Sequence, residues 1–361
     1  MTASAGPTIR IGSREIGVGH PTFVVAELSA NHHQDLSRAK ELVRAAAGAG
    51  ADAVKIQTYT ADTMTLDSDK PWFRVGEGTV WQGRGLYDLY REAATPWEWH
   101  APLADEAAAC GLEFFSTPFD ATAVRFLEEA GVPAFKVASF ELVDLPLIRL
   151  VAGTGRPVLM STGMATVGEI DDAVTTARAA GAREIGLFRC NSGYPADPAG
   201  MDLATIPHMA ALWDVPVGLS DHTLGTSAAA VAVALGACMV EKHLTGSRSE
   251  PGPDSTFSLE PHEFKAMVDA IREAESVVGG VRYGPTEDER KSLQFRRSVF
   301  VVEPVRAGEP FSPFNLRVIR PADGLSPGDL DRVIGRRAAT DIEAGTPLSW
   351  DLVGGGAETG E

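Results

Sequence analysis

Over the first 280 residues, short apolar runs rich in β-branched residues alternate with longer stretches whose apolar positions recur every three or four residues. The short runs are predicted strands, at 23–26, 53–57, 113–116, 134–138, 158–161, 185–190, 216–220 and 239–243. The longer ones, among them 36–49, 121–130, 167–180 and 261–278, carry the helical period. Strands separated by helices imply a parallel sheet, and eight of them predict an α/β fold closed into a (β/α)8 TIM barrel over residues 1–280.

The punctuation fits that rhythm. Gly50, Gly111, Gly131, Gly181 and Gly236 each fall between a helix and the next strand, where a left-handed residue is least costly as glycine. Thr95-Pro96-Trp97-Glu98 and Thr166-Val167-Gly168-Glu169 have the form of capping boxes. The apolar stretch 228–240 is too short to span a bilayer and reads as a buried helix running into a strand.

One segment breaks the pattern. Residues 58–94 lack a clean period and hold Trp72, Phe73, Trp81 and Tyr87, so they are expected to cover a substrate. Residues 281–297 turn polar and read as a linker. A compact β-rich domain is expected at 298–353, in which Val305-Arg306-Ala307-Gly308-Glu309-Pro310-Phe311-Ser312 is echoed by Ile342-Glu343-Ala344-Gly345-Thr346-Pro347-Leu348-Ser349. Residues 354–361 are expected to be a disordered tail.

Composition narrows the partners. At 361 residues and 44% hydrophobic, the chain can bury a large core. A formal charge of -17 repels phosphates, which argues against nucleic acid and anionic membranes. An anionic substrate must then be held by a few local Lys or Arg residues. Cys110, Cys190 and Cys238 form no CxxC motif, which argues against a disulfide framework or zinc knuckle. With no signal-peptide core up to His20, a cytoplasmic location is expected.

In such barrels the C-terminal strand ends build the active site. There the chain carries Glu27, Lys55, Gln57, Ser116, Thr117, Lys136, Ser139, Ser161, Asn191, Ser192, Ser220, Asp221, His222, Glu241 and His243. Lys55 and Lys136 alternate with apolar neighbours, so both can point into the mouth, where hydroxyls complete a phosphate cradle. The competing reading pairs each lysine with an inward carboxylate such as Glu27 or Glu241. Thr117 and Ser161 taken singly also read as helix caps.

His222 and His243, two of eight histidines, end adjacent strands and suggest a metal site. Without a thiolate the pair suits a hard or borderline divalent ion such as Mn²⁺, with open positions for water and substrate. Glu241 shares the strand face of His243 and could orient a water there, and Asp254 follows the last strand within reach. Asp221 and Lys242, beside the histidines, are further candidates for anion binding or acid–base work.

Ordered motifs across the chain resemble the sialic acid (nonulosonic acid) synthase family. They are Ala26-Glu27 with Asn31-His32, Ala51-Asp52-Ala53-Val54-Lys55-Ile56-Gln57, Ser116-Thr117-Pro118-Phe119-Asp120, Phe135-Lys136-Val137-Ala138-Ser139, Ser161-Thr162-Gly163-Met164, Gly218 to His222, and Glu241-Lys242-His243 with Gly252-Pro253-Asp254. The last 60 or so residues, with Ile319-Arg320-Pro321, resemble that family's SAF (antifreeze-like) domain. Thr63-Met64-Thr65-Leu66-Asp67, Thr95 to His100 and Ala138-Ser139-Phe140-Glu141 are most similar to the pseudaminic acid branch, with the legionaminic and N-acetylneuraminic acid branches as rivals.

The resemblance implies a condensation of phosphoenolpyruvate with an open-chain acetamido sugar. Lys55, Thr117, Lys136, Ser139, Ser161, Ser192 and Ser220 would bind phosphoenolpyruvate. Glu27, Gln57, Tyr194 and Asp254 would contact the sugar, and Glu27 and Asp254 could also move protons. His222 and His243 would hold Mn²⁺, or Mg²⁺ or Co²⁺, and Glu241 would orient the attacking water. Arg320 would come from a neighbouring subunit, implying a domain-swapped homodimer. His33 and Asn191 depart from the family pattern, which leaves sugar preference and phosphate contacts open.

Overall fold

The computed structural model describes residues 6–355. An antiparallel hairpin, β1 (Thr8–Ile11) and β2 (Arg14–Gly17), precedes eight parallel strands. These are β3 (Phe23–Glu27), β4 (Ala53–Thr58), β5 (Glu113–Pro118), β6 (Phe135–Val137), β7 (Val158–Ser161), β8 (Ile185–Cys190), β9 (Val217–Asp221) and β10 (Met239–His243). They close into a barrel in which β10 pairs with both β9 and β3. The expected fold is what forms, with strand ends shifted by a residue or two.

Alternation within the strands sorts the chemistry. Inward positions near the strand starts are apolar: Phe23, Val25, Ala53, Phe115, Leu159, Phe188 and Met239 form one buried cluster. Two residues further along the same faces the side chains become polar, so the barrel is packed below and reactive above. Outward positions pack against helices such as Leu36–Gly48, Val167–Ala179 and Pro261–Val278 in two larger clusters.

The hairpin has no counterpart in the sequence reading. Ile9, Ile11 and Ile16 are buried in the same cluster as Phe23 and Phe188, so β1 and β2 plug the N-terminal end of the barrel. Their signal is weak, only three isoleucines among polar residues.

Local chemistry follows the sequence except in one place. Thr166 and Glu169 form the expected capping box, and the five punctuating glycines all have positive φ. Thr95 does not cap a helix. The chain after Pro96 makes a 3₁₀ turn at Trp97–Trp99, the α-helix starts at His100, and buried Thr95 instead places its hydroxyl 3.3 Å from His32 Nε2. The irregular segment contains short helices, Ala61–Met64 and Leu86–Ala93.

The chain divides into two compact units between Gly279 and Gly280. Within the second, the stretch expected as linker carries two short helical turns, Glu287–Arg290 and Lys291–Phe295. Strands β11 (Ser298–Val301) and β12 (Leu316–Ile319) pair antiparallel. The two echoed segments meet: Val305 and Ile342 exchange backbone hydrogen bonds of 2.9 and 2.8 Å, and Phe311 and Leu348, at equivalent places, enter one core. Most of the expected tail, beyond Gly355, lies outside the described residues.

Candidate active site

At the mouth of the barrel the strand ends build a polar cavity of about 60 Å³, lined by Glu27, Lys55, Thr117, Lys136, Ser161 and Glu241, and also by Gln57, Ser139, Ser220, Tyr194, Cys190 and both histidines. Lys55 forms an ion pair with Glu27 and lies 3.6 Å from Glu241, while its ammonium donates to Thr117 Oγ1 at 3.0 Å. Lys136 lies 3.5 Å from Glu241 and donates to Ser161 Oγ at 2.6 Å. The lysines are thus paired with the inward carboxylates, as the competing reading has it, and each also donates to a hydroxyl.

Burial and charge pull these groups apart. Burial pushes the Glu27 carboxyl up to about 7 despite Lys55. Burial acts the same way on Glu241, but Lys136, Lys55 and His222 overcome it and hold that carboxyl below its ordinary range. Two carboxyls about one cavity therefore differ in proton affinity, the pattern suited to acid–base work.

The histidine rings lie 5.3 Å apart between centroids. His222 Nδ1 is 2.8 Å from the Asn191 carbonyl, and donation there leaves Nε2 as the ring's lone-pair donor. His243 is held well below its ordinary pKa, first by burial and then by His222 and the lysines, so its ring is neutral. Its Nδ1 is buried without a partner. A neutral buried imidazole with an unused nitrogen, beside a ring oriented by a carbonyl, fits a divalent ion. Among the described residues no group of three or more His, Cys, Asp or Glu is arranged for a metal.

The cavity opens into a vestibule of about 420 Å³ that shares Gln57, Ala138, Tyr194 and His243 with it. Asp254 lines this space and accepts from Ser29 Oγ, and Gln57 Nε2 reaches the same hydroxyl at 3.1 Å. Burial raises the Asp254 carboxyl above its usual value. Tyr194 packs on His222 at 4.4 Å, and Phe257 lies 5.0 Å from His243. From the irregular segment, Trp81 Nε1 donates to Pro253 O at 2.7 Å, tying that segment to the Asp254 loop.

Some candidates lie elsewhere. Ser192 does not line the cavity and lies beside Ser139 across Gly163, where a Cβ would come within 2.7 Å of Ser139 Oγ and closer still to Ser192. Asn191 turns its side chain to Gly200 O and Gly193 N and takes part through its carbonyl. Asp221 and Lys242 face away from the lumen and pair with each other, because successive strand residues alternate faces. His33 packs against Gly252, outside both cavities. Arg320 follows β12 in the second unit.

Two residues were missed. Glu141, in the 3₁₀ turn Phe140–Val143 after β6, lines the vestibule with a carboxyl that burial pushes up to about 7 and with Oε2 unpartnered. Cys190 lines the polar cavity 3.9 Å from His222 Nδ1. The first follows a strand end by several residues; the second sits on an inward position that alternation could have revealed.

A closed parallel barrel with lysines and histidines at its mouth, followed by a small β-rich unit, is the architecture expected of the barrel synthases that the motifs resemble. Residues 42–283 match the NeuB family and residues 296–354 the SAF domain, and the chain belongs to the NeuB family. It is 41% identical to the pseudaminic acid synthase of Helicobacter pylori, over 92% of this chain and 97% of that one. To the N,N'-diacetyllegionaminic acid synthase of Legionella pneumophila it is 34% identical, over 95% and 97%. The crystal structure of an N-acetylneuraminic acid (sialic acid) synthetase from Leptospira borgpetersenii, in complex with citrate, matches with a TM-score of 0.72 and 28% identity, covering 81% of this chain and 98% of that chain. Synthases of this family generally depend on a metal. Among the described residues, no helix is long and apolar enough to cross a membrane.

Proposed function

We propose that this chain is a pseudaminic acid synthase: it joins phosphoenolpyruvate to the open-chain aldehyde of 2,4-diacetamido-2,4,6-trideoxy-L-altrose, consumes water and releases phosphate. The observation that carries the reading is the convergence of Lys55 and Lys136, with their hydroxyl partners, beside the two histidines in one cavity. The 41% identity to a pseudaminic acid synthase favours this branch over the legionaminic one.

Lys55 and Lys136 hold the phosphate and carboxylate of phosphoenolpyruvate, with Thr117, Ser139, Ser161 and Ser220 supplying neutral hydrogen bonds and Ser192 standing beside Ser139 rather than in the cavity lining. C3 of phosphoenolpyruvate attacks the aldehyde carbon, a C–C bond forms, and the aldehyde oxygen takes a proton. Water adds at C2, its proton passes to Glu241, and phosphate leaves with cleavage of its bond to C2. Glu27, whose carboxyl stays partly protonated near neutral pH, is placed to return a proton. Gln57, Asp254 and Tyr194 orient the sugar in the vestibule.

His222 and His243 would hold a divalent ion, Mn²⁺ by their donor set with Mg²⁺ or Co²⁺ as alternatives, and it would polarise the aldehyde as a Lewis acid. Arg320 would reach the sugar from a neighbouring subunit in a domain-swapped homodimer. Mixing an Arg320→Ala chain with a His243→Ala chain should then restore activity that neither has alone.

The direct test is phosphate release from phosphoenolpyruvate by purified protein with Mn²⁺ and a panel of acetamido sugars. Release with the altro-configured sugar is expected. No release with any sugar refutes the synthase reading, and release only with a manno-configured sugar refutes the branch.

A further inference from the structure

The vestibule has a wall whose chemistry the condensation itself does not require. Its inner side is polar, with Gln57, His243, Asp254 and Glu141. The opposite side comes from the irregular segment after β4 and is apolar: Met64, Val75, Leu86 and Leu89. Tyr59, Tyr90 and Phe119 line the vestibule as well, with Tyr59 edge-on to the other two at ring centroids of 5.9 and 5.1 Å. No Lys or Arg lines the vestibule among the described residues.

A hydroxyl pressed against such a wall gives up water without gaining a partner, whereas a methyl group gains contact. A phosphate against this wall would meet the Asp254 and Glu141 carboxyls and no Lys or Arg of the vestibule lining itself. Trp81 fixes the wall in place, because its hydrogen bond to Pro253 O anchors the segment next to Asp254. Apolar and polar residues thus line one cavity, and a sugar that fills it must be amphipathic.

We propose that Met64, Val75 and Leu86 form a specificity-determining subsite for the methyl-bearing groups of the sugar, the deoxygenated C6 and the N-acyl methyls. The wall selects a neutral, multiply acylated deoxy sugar over hydroxylated or phosphorylated counterparts. This rests on the synthase reading and adds which residues make the choice.

The experiment compares kcat/KM for the 2,4-diacetamido-2,4,6-trideoxy sugar and its 6-hydroxy analogue, in the full chain and in Met64→Gln and Leu86→Gln, with KM for phosphoenolpyruvate measured alongside. The unaltered chain should favour the deoxy sugar by about 10- to 100-fold. Each variant should narrow that ratio while leaving KM for phosphoenolpyruvate unchanged, which also reports an intact fold. A ratio near one in the unaltered chain, or a ratio that neither variant moves, overturns the proposal. So does a loss of phosphoenolpyruvate binding in both variants, which would make the wall a support for the deeper cavity. No turnover of either sugar by the unaltered chain refutes the synthase reading and this subsite with it.

Discussion

Lys242 Nζ lies 2.6 Å from Asp221 Oδ2, and both side chains are completely buried on the outer face of the barrel, one position before His243 and His222 respectively. The ammonium also donates to the Thr223 carbonyl, so the pair fastens β9 to β10 at the level of the two imidazoles. Removing one partner strands a charge in the interior. Lys242→Met should lower stability by about 3–5 kcal/mol. Adding Asp221→Asn should recover part of it. Urea unfolding of the two variants measures both effects; a single variant as stable as the parent would show the pair to be dispensable.

Glu241 stands between two lysines and competes with any anion they bind. Glu241→Gln should therefore tighten phosphoenolpyruvate binding while reducing kcat by about 100-fold or more, the usual contribution of a positioned base. A fall in both KM for phosphoenolpyruvate and kcat in steady-state assays supports this. An unchanged kcat would remove Glu241 from the proton pathway.

Replacing either imidazole by alanine should abolish metal-dependent turnover and lower bound metal while the melting temperature stays within a few degrees. Elemental analysis of the dialysed and reloaded protein reads the metal directly. Full metal occupancy in both His222→Ala and His243→Ala would dismiss the pair as ligands.

Glu141 has its folded-state pKa raised from 4.5 to about 7 by burial. The folded protein thus binds this proton more tightly than the unfolded chain does. Its contribution to stability is complete below about pH 4.5 and is lost as pH rises through about 7, up to about 3 kcal/mol. Glu27, raised for the same reason, acts in the same direction. Melting curves from pH 5 to pH 8 should fall less steeply for Glu141→Gln than for the parent; parallel slopes would contradict the assignment.

Much of the barrel was legible because a strand has a period of two. Lys55 with Gln57, and Glu241 with His243, share faces by spacing alone, and both pairs do line the cavity. What spacing could not supply was the relation between strands. That Asp221 opposes Lys242 depends on the β9–β10 register, which places their Cα atoms as partners. Before that register was known, both read as candidates for anion binding. Glu141 lies in a 3₁₀ turn whose direction no period predicts. The β1–β2 plug escaped notice because its three isoleucines are too few to stand out from a polar segment.

That plug has a kinetic consequence. With Ile9, Ile11 and Ile16 packed into the floor, the lysine cavity opens only on the strand-end side, where it shares lining residues with the vestibule that the proposed reading gives to the sugar. On that reading phosphoenolpyruvate should bind before the sugar, and a sugar that docks early should act as an inhibitor at high concentration. Departure should follow the same order in reverse, phosphate leaving after the new nine-carbon acid.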